Sequence, residues 1–522
     1  MDTSTRFSSH VSASDSAIIT PVNATSLLFE DRIFISFSPA YIEFIYDIIA
    51  TLIFKQGVFA LVFSSLIVLF RFLPVFLLLY YIIPNRYRNL VLLIGSLFFY
   101  SWGEVRYFPI MVALISVNYF AAFFIDRTDK KSIKKILMLA AVIVSFSFLL
   151  LFKYTDFFIE NINSLFSVSI PFLHLTLPLG ISFYTFQTVA YTIDVYRGSI
   201  RAEKDFISLA AFISMFPQLI AGPIVRYQDV QNDLHRNRRF DVEAFELGIE
   251  RFVFGMSKKV LIANSIGKLW DEVQELGFAN ISQGLAWLGL IAFTLQIFFD
   301  FSGYSDMAIG LGYMMGFHFP ENFDAPYTSR SITEFWRRWH MTLGSWFREY
   351  VYFPMGGSRK GMLRTEINMF VVWALTGIWH GASWNFMLWG LYFYLLLTVE
   401  KFGFKKKILD RFSVISHIYA VFFIVLGWSL FAVTDLGELV IFIKALFSFS
   451  HGAGLISGIY YLRNYISIII IGILFSCRFP KTLWQKIRKN RIAETCIVFL
   501  LLIVCIAYLV DSTYNPFLYF RF

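Results

Sequence analysis

The sequence predicts an all-α polytopic membrane protein. Of its 522 residues, 57% are apolar and 16% are charged, whereas an ordinary soluble domain is roughly 45–50% apolar and about 25% charged. The mean hydropathy is +0.63, and long apolar runs alternate with short basic clusters along the chain. These observations exclude a disordered protein, a collagen, a coiled coil and nearly every class of soluble enzyme.

Apolar runs of helical length give the predicted spans in order along the chain. A helix needs about 20 residues to cross the hydrocarbon core, so we expect roughly 11 to 13 crossings, with some of the runs re-entrant or interfacial. The runs are residues 57–84, 89–103, 107–125, 136–153, 175–196, 205–222, 245–265, 283–299, 303–317, 364–379, 384–400, 412–433, 463–476 and 495–510. Residues 33–54 are expected to lie at the interface, because Glu43 and Asp47 share one helical face.

The distribution of basic residues predicts the orientation. Lys and Arg exceed Asp and Glu by 45 − 36 = 9. They cluster in residues 85–89, 127–135, 197–204, 401–407 and 478–491. Such clusters mark cytoplasmic loops, and the parity of the spans then places Gly57 and the C-terminus on the outer side. The chain shows no basic–aromatic pattern typical of RNA binding, so we expect membrane lipid and no nucleic acid as partners.

Residues 300–389 differ from the flanks, because charge, histidine, glycine and tryptophan concentrate there. Gly- and Pro-rich breaks at residues 319–322 and 353–357 interrupt the helical pattern. Irregular backbone at membrane depth is tolerated only where protein or a water-filled cavity covers it. We therefore expect a polar cavity inside the helical domain. The sequence has no visible internal repeat, which disfavours a transporter built from inverted repeats.

Two histidines are the main candidates for chemistry. His340 ends a Trp- and Arg-rich segment, and His380 lies at the end of an apolar run. Ionisable groups inside a membrane are rare and by default indicate function, and imidazole is the natural general base near neutral pH. The alternative is a histidine that bonds a carbonyl at a helix end and serves packing only.

Two carboxylates occupy another apolar stretch, at Asp300 and Asp306 on either side of Ser302 and Gly303. Their separation of six residues does not place them on one helical face, which argues against a catalytic pair. We expect each carboxylate to bond local hydroxyls or backbone N–H groups near Gly303. The alternative is a proton relay.

A polar stripe is predicted on the helix that begins near residue 183. Gln187, Tyr191 and Asp194 fall at positions i, i+4 and i+7 of a mostly apolar segment, so they share one face of a helix. This face is expected to meet the interior cavity or another helix. Hydrogen bonds that serve packing are the equally open alternative.

The charged residues near Glu334 and the cysteines are predicted to have structural roles. Glu334 has the spacing of a helical ion pair with Arg337 and Arg338, although Arg338 or Arg348 could instead meet an anionic phosphate. The cysteines show no spacing typical of a metal site, so neither a zinc site nor a disulfide framework is expected. They are Cys477, Cys496 and Cys505.

Several strings along the chain are specific enough to compare with known families. They are Phe183–Gln187 with Tyr191–Arg197, Phe216–Ile224, Phe299–Ala308, Pro320–Phe323, Ser331–His340 and Thr376–Gly381. In these strings the sequence resembles the membrane-bound O-acyltransferase family, and within it the branch that acetylates polysaccharides such as alginate. The resemblance covers residues 62–522 as one transmembrane acyltransferase domain. Residues 1–61 are expected to be an N-terminal extension, partly disordered or interfacial.

The resemblance implies a ring of roughly 11 to 13 helices around a tunnel through the bacterial inner membrane. It implies that the signature histidines are His340 and His380, and that acetyl-CoA is the donor co-substrate on the cytoplasmic side, with no bound cofactor. The implied acceptor is an envelope or exported polysaccharide, reached through an extracytoplasmic esterase-like partner. The further substrate and tunnel candidates are Gln187, Tyr191, Asp194, Asp300, Ser302, Asp306, Trp336, Arg338, Trp379 and Asn385.

The predicted function is therefore acetyl transfer, with His340 or His380 as the base that deprotonates an acceptor hydroxyl. A rival function is a proton-coupled transporter that uses Asp300 and Asp306. A second rival is a non-catalytic scaffold for export machinery. The Trp-His-Gly context of His380 and the lack of repeats favour the enzyme.

Overall fold

The computed structural model describes residues 63–220, 222–402, 412–448 and 454–511, together with Leu518. Within these ranges the secondary structure is helical, without strands. The chain divides into two units, residues 1–58 and residues 59–522, and all described residues belong to the second. The predicted interfacial segment 33–54 and the predicted boundary between residues 61 and 62 lie outside the described residues.

Helices of very different lengths form the first part of the described chain. They are α1 (Val68–Ile82), α2 (Arg88–Glu104), α3 (Phe108–Arg127), α4 (Lys131–Phe166), α5 (Ile181–Arg197), α6 (Phe206–Ser214), α7 (Phe216–Leu219), α8 (Tyr227–His235), α9 (Val242–Ser257) and α10 (Asn264–Glu275). Short 3-10 and π turns join several of them, including a π turn at Lys258–Ala263 between α9 and α10.

The second part begins with the longest buried helix of the described chain. The helices are α11 (Gln283–Met315), α12 (Ile332–Arg338), α13 (Met341–Phe347), α14 (Met362–His380), α15 (Trp384–Val399), α16 (Ser413–Ala432), α17 (Leu436–Phe447), α18 (Gly454–Phe475), α19 (Phe479–Ile487) and α20 (Arg491–Asp511). Six helices of the described part are long and apolar enough to cross a membrane, namely α3, α4, α11, α16, α18 and α20. The all-α membrane fold is thereby confirmed, and the total number of crossings stays a prediction.

Helix α11 forms the centre of the fold and corrects two predicted spans. Its 33 residues run without interruption from Gln283 to Met315, where the sequence predicted separate spans at residues 283–299 and 303–317. Gly303, the first residue of the second predicted span, does not interrupt the helix. A Cβ at Gly303 would lie 2.7 Å from the carbonyl oxygen of Gly255 on α9, so the glycine allows two helices to pack backbone to backbone.

Two other predicted spans differ in length and continuity. The predicted span 136–153 is part of α4, whose 36 residues extend about 54 Å, well beyond the hydrocarbon core. The predicted span 205–222 is instead broken after Ser214, and the short α7 begins with Pro217 in its first turn. Proline lacks the N–H group that would continue the preceding helix, so the chain turns there.

Both predicted breaks in the polar middle are confirmed as non-helical backbone, at residues 319–322 and 353–357. The first break is held against the segment that contains His340. Asp324 donates its backbone N–H to Arg338 (3.0 Å), and Met341 donates its backbone N–H to Asn322 (3.0 Å). These bonds place the loop after α11 directly beside the short helices α12 and α13.

Candidate active site

Both predicted histidines converge on one buried aromatic cluster. The ring centroid of Trp379 lies 6.1 Å from that of His340 and 5.0 Å from that of His380. His340 is 2% exposed and His380 is 8% exposed. Phe183 and Phe186 of α5 approach the same indole, with centroids at 5.7 Å and 5.6 Å. Residues that are far apart in the sequence therefore form one site.

His340 is held by an unusual backbone conformation. It is the N-cap residue of α13, and its φ of 43° lies in the left-handed region, which non-glycine residues rarely adopt and which is enriched at functional sites. The bonds between residues 322–324 and 338–341 keep the backbone in place. The imidazole then meets Phe301 of α11 edge-on at 4.7 Å.

The contacts of Asn322 define which nitrogen of His340 carries the proton. The Oδ1 atom of Asn322 accepts from the backbone N–H of Thr342 (3.3 Å) and from its hydroxyl (2.9 Å). The same oxygen lies 3.1 Å from Nδ1 of His340. Because a carbonyl oxygen only accepts, Nδ1 must donate, and the neutral ring keeps its lone pair on Nε2. Among the described residues this buried Nε2 has no hydrogen-bond partner.

His380 is the last residue of α14 and lies among aromatic rings. Its ring centroid is 4.9 Å from that of Trp389 and 5.1 Å from that of Phe431, both edge-on. No described residue bonds its buried Nδ1. The packing alternative, in which the imidazole bonds a backbone carbonyl at a helix end, therefore finds no support in the described part of the chain.

The predicted polar stripe on α5 divides into two parts. Asp194 accepts from the hydroxyl of Tyr350 (2.8 Å), and the hydroxyl of Tyr191 accepts from the backbone N–H of Glu203 (2.8 Å). These two residues serve packing. Gln187 lies one turn after Phe183 and is 1% exposed, and within the described ranges neither of its amide atoms has a partner.

A second polar network surrounds Glu203. His235, the last residue of α8, has a half-exposed side chain whose Nε2 lies 2.7 Å from the Glu203 carboxylate. Tyr227 also donates its hydroxyl to Glu203. Burial raises the pKa of Tyr227, and the neighbouring carboxylate adds to this effect, so the phenol stays neutral and donates.

Asp300 and Asp306 have cationic partners, which corrects the prediction of local hydroxyl and backbone contacts near Gly303. Asp306 lies 2.6 Å from Arg251 and 2.6 Å from Lys258. Asp300 lies 2.6 Å from Lys259. All three cations come from α9 and the following π turn, which the sequence could not place beside α11. The two carboxylates thus have separate partners.

Leu518 contacts one of the two carboxylates of α11. It is 6% exposed and donates its backbone N–H to Asp300 (2.7 Å), near the middle of α11. A buried carboxylate has spare acceptor sites that a backbone N–H can satisfy. The position of the C-terminus on the outer side stays a prediction.

The structure gives the following contacts for the remaining candidates. Ser302 is 1% exposed, and its hydroxyl is unbonded among the residues described. Arg338 pairs with Glu334 (2.5 Å) and donates to Thr328 (2.8 Å), which confirms the ion pair for Arg338. The other two are Trp336, which packs edge-on against Trp373, Trp389 and Phe393, and Asn385, which donates to the carbonyl of Leu430 (3.0 Å).

Sequence reasoning missed two residues of the site. Asn322 contacts His340; the sequence marked it by the loop break at residues 319–322 and by the string Pro320–Phe323, but not as a site residue. Lys153 donates from its ammonium to the carbonyls of Trp379 (2.6 Å) and His380 (3.0 Å). A lysine within the apolar run of α4 was a detectable signal, but it fell at the edge of a predicted span.

The chain matches the family model described as MBOAT, the membrane-bound O-acyltransferase family, over residues 97–441. This match includes both histidines, Asn322 and Gln187. The site geometry described above therefore lies within the part of the chain that the family model covers.

Three relatives illustrate the range of similar proteins. A probable alginate O-acetylase of Pseudomonas putida is 37% identical over 490 residues, which cover 88% of this chain and 100% of that protein. A peptidoglycan O-acetyltransferase of Helicobacter pylori is 34% identical over 74% of this chain and 80% of its own length. A teichoic acid D-alanyltransferase of Bacillus subtilis is 31% identical over 49% of this chain and 68% of its own length.

Proposed function

The chain belongs to the membrane-bound O-acyltransferase family, and from that premise we propose that it transfers an acetyl group from acetyl-CoA to a polysaccharide of the cell envelope. The relatives with similar sequences are named for the acylation of alginate, peptidoglycan and teichoic acid. An alginate-like acceptor is favoured, because the alginate relative aligns over its whole length.

One observation carries this proposal. Two buried histidines contact the same indole, and among the described residues each retains an unbonded ring nitrogen. An unbonded imidazole nitrogen in a site walled by aromatic rings can take a proton from a substrate hydroxyl. A buried polar atom without a partner is normally rare, so a substrate is the natural partner for these nitrogens.

The mechanism is direct acyl transfer. Nε2 of His340 or a ring nitrogen of His380 takes the proton of an acceptor hydroxyl, whose oxygen attacks the thioester carbonyl. The new C–O bond forms, the C–S bond breaks, and the leaving thiolate of CoA takes the proton back. The amide of Gln187 is the donor that we assign to the developing oxyanion, since it is buried and unbonded within the described ranges.

The donor and acceptor reach the site from opposite sides of the membrane. Acetyl-CoA enters from the cytoplasm of a bacterial cell, and the acceptor side faces an extracytoplasmic esterase-like partner. Support for this orientation comes from the basic loops at residues 127–135 and 197–204, because basic clusters mark the cytoplasmic side.

The transporter is the weaker alternative. A proton relay needs carboxylates that can take up a proton and pass it to the next group. Asp306 instead contacts Arg251 and Lys258, and Asp300 contacts Lys259. Paired carboxylates of this kind suit a structural role, because removing one partner of a buried pair leaves an uncompensated charge.

Deletion of the gene followed by measurement of base-labile acetate on each envelope polymer tests the proposed function. We expect one polysaccharide to lose its acetate, and the wild-type gene to restore it. A double variant with His340→Ala and His380→Ala, present in equal amount in the membrane, should not restore it. Unchanged acetate on every polymer after deletion would contradict the proposal.

A further inference from the structure

Lys153 is a partly buried lysine whose hydrogen-bond partners in the described chain are uncharged backbone carbonyls. It lies within the apolar sequence of α4, and its Nζ donates to the carbonyl oxygens of Trp379 (2.6 Å) and His380 (3.0 Å). Among the described carboxylates none pairs with it. An ionised group away from water is costly unless specific contacts offset that cost. The position of this cation therefore calls for an explanation beyond packing.

The two acceptors belong to the end of α14. The last carbonyls of a helix have no partner within the helix, and together they carry a partial negative charge. The next residue of α4, Tyr154, donates its hydroxyl to Ile378. Three consecutive carbonyls, those of Ile378, Trp379 and His380, are thus bonded by two adjacent residues of α4.

These bonds from α4 add to the packing of α15 against the same helix end, where Gly377 and Gly381 lie close to Phe386. After His380 the chain continues through Gly381 in an extended conformation, so no further helical turn restrains the histidine. Its imidazole touches Trp379, Trp389 and Phe431 only through ring faces and edges. These contacts restrict the rotation of the His380 imidazole, whereas the bonds from α4 fix the backbone that carries it.

We propose that Lys153, assisted by Tyr154, is a positioning residue for His380. The ammonium and the phenol hold the last turn of α14 at a fixed depth, and so hold the imidazole within reach of the acceptor hydroxyl. This inference rests on the proposed function, because it gives His380 a role in acyl transfer. Lys153 itself does not touch the reacting atoms in this account.

The test compares Lys153→Met with wild-type protein and with Lys135→Met, the same substitution at an exposed lysine of the same helix. Acetyl transfer from acetyl-CoA is followed in membrane vesicles with matched amounts of protein. For Lys153→Met we expect kcat to fall by about 10²-fold, as a displaced catalytic group does, with KM for acetyl-CoA unchanged. Lys135→Met should match wild type, and Lys153→Arg should restore part of the loss.

A double-mutant cycle distinguishes positioning from general stability. In a His380→Ala background, Lys153→Met should reduce the remaining rate no further, because groups that act as a unit are not additive. Tyr154→Phe keeps the charge and should lower kcat less than Lys153→Met, again only when His380 is present. If Lys153→Met protein does not accumulate, the double-mutant cycle of Tyr154→Phe with His380→Ala distinguishes positioning from general stability.

Two results would overturn the inference. One is a Lys153→Met protein with wild-type kcat, and the other is an equal loss with and without His380. The proposed function fails separately, if wild-type protein transfers no acetyl group or if His380→Ala transfers it at the wild-type rate. A dead His380→Ala protein beside a fully active Lys153→Met protein would reject the inference alone.

Discussion

At the scale of single residues, the contact between Asn322 and His340 has the clearest chemical meaning. Asn322 presents only an acceptor to Nδ1, which leaves the lone pair of His340 on Nε2, where a substrate proton could be taken. An imidazole without this bond could adopt the other tautomer or rotate. In the proposed mechanism, the side chain of Asn322 thus favours the tautomer of His340 that can act as the base.

Asn322→Ala should lower kcat by about 10²-fold, near the lower end of what a positioned general base contributes. The expected cause is loss of the acceptor that keeps the proton on Nδ1. The measurement is the steady-state rate of acetyl transfer with matched amounts of protein in the membrane.

Asn322→Asp is the matched control, because a carboxylate also accepts from Nδ1–H. It should retain more activity than Asn322→Ala. Equal rates for wild type and Asn322→Ala would show that the tautomer of His340 does not matter for transfer.

Asp306 is expected to act on stability rather than on chemistry. Asp306→Asn removes the carboxylate that pairs with Lys258 and one of the two that pair with Arg251, which keeps Glu321, and breaking a buried pair costs up to about 3–5 kcal/mol. We therefore expect a lower melting temperature in detergent, with near-normal acetyl transfer per folded molecule. A normal melting temperature combined with complete loss of transfer would instead support a proton relay.

At the scale of elements, glycines set the crossing of α9 and α11. Gly248 and Gly255 on α9 face Gly310 and Gly303 on α11, and a Cβ at Gly255 would lie 2.5 Å from the carbonyl oxygen of Gly303. Such close approach brings the lysines of the π turn next to Asp300 and Asp306. The polar contacts of α11 thus depend on small residues that carry no chemistry.

Gly255→Ala should therefore reduce the amount of folded protein and its melting temperature, because overpacking a core costs about 1–3 kcal/mol. Gly284→Ala is the matched control on α11, since a Cβ there would meet nothing within 4 Å. Thermal unfolding in detergent compares the two variants. Equal melting temperatures would contradict the close crossing of these helices.

Most helices of the described chain could be predicted from the sequence, but their contacts could not. Apolar runs predicted where most helices lie, because burial in lipid is a local property of composition. They did not predict that α11 continues through Gly303, since the reason is the backbone of α9, about 50 residues earlier in the chain. Nor could the sequence predict the partners of Lys153 on α4, which donates to backbone carbonyls of α14.

The candidate site, too, could be predicted from the sequence only in part. His340, His380 and Gln187 could be identified from the sequence, because polar side chains in apolar or Trp-rich surroundings are conspicuous. Their partners could not, since Asn322 and Lys153 act through contacts that only the tertiary fold creates. Tyr191 and Asp194 share a helical face with Gln187, yet their bonds to Glu203 and Tyr350 make them structural.

At the scale of the whole molecule, the apolar majority of the chain builds the membrane fold and a small polar minority carries the proposed chemistry. The 57% of apolar residues predict the membrane and say little about function. Asn322 contacts the imidazole of His340 and Lys153 bonds the carbonyl of His380, and the proposed function assigns the unbonded atoms of the histidines and of Gln187 to an acyl group and a hydroxyl. Acetyl transfer that depends on both histidines is therefore the central claim.

The most direct test uses inverted membrane vesicles from a strain without the gene, carrying wild-type, His340→Ala or His380→Ala protein in equal amounts. Acetyl-CoA labelled in its acetyl group is supplied to the exposed cytoplasmic face, and base-labile label on the envelope polysaccharide is counted. We predict transfer by wild type, and a fall of about 10²–10⁴-fold for each histidine variant. Transfer at the wild-type rate by either variant would contradict the account.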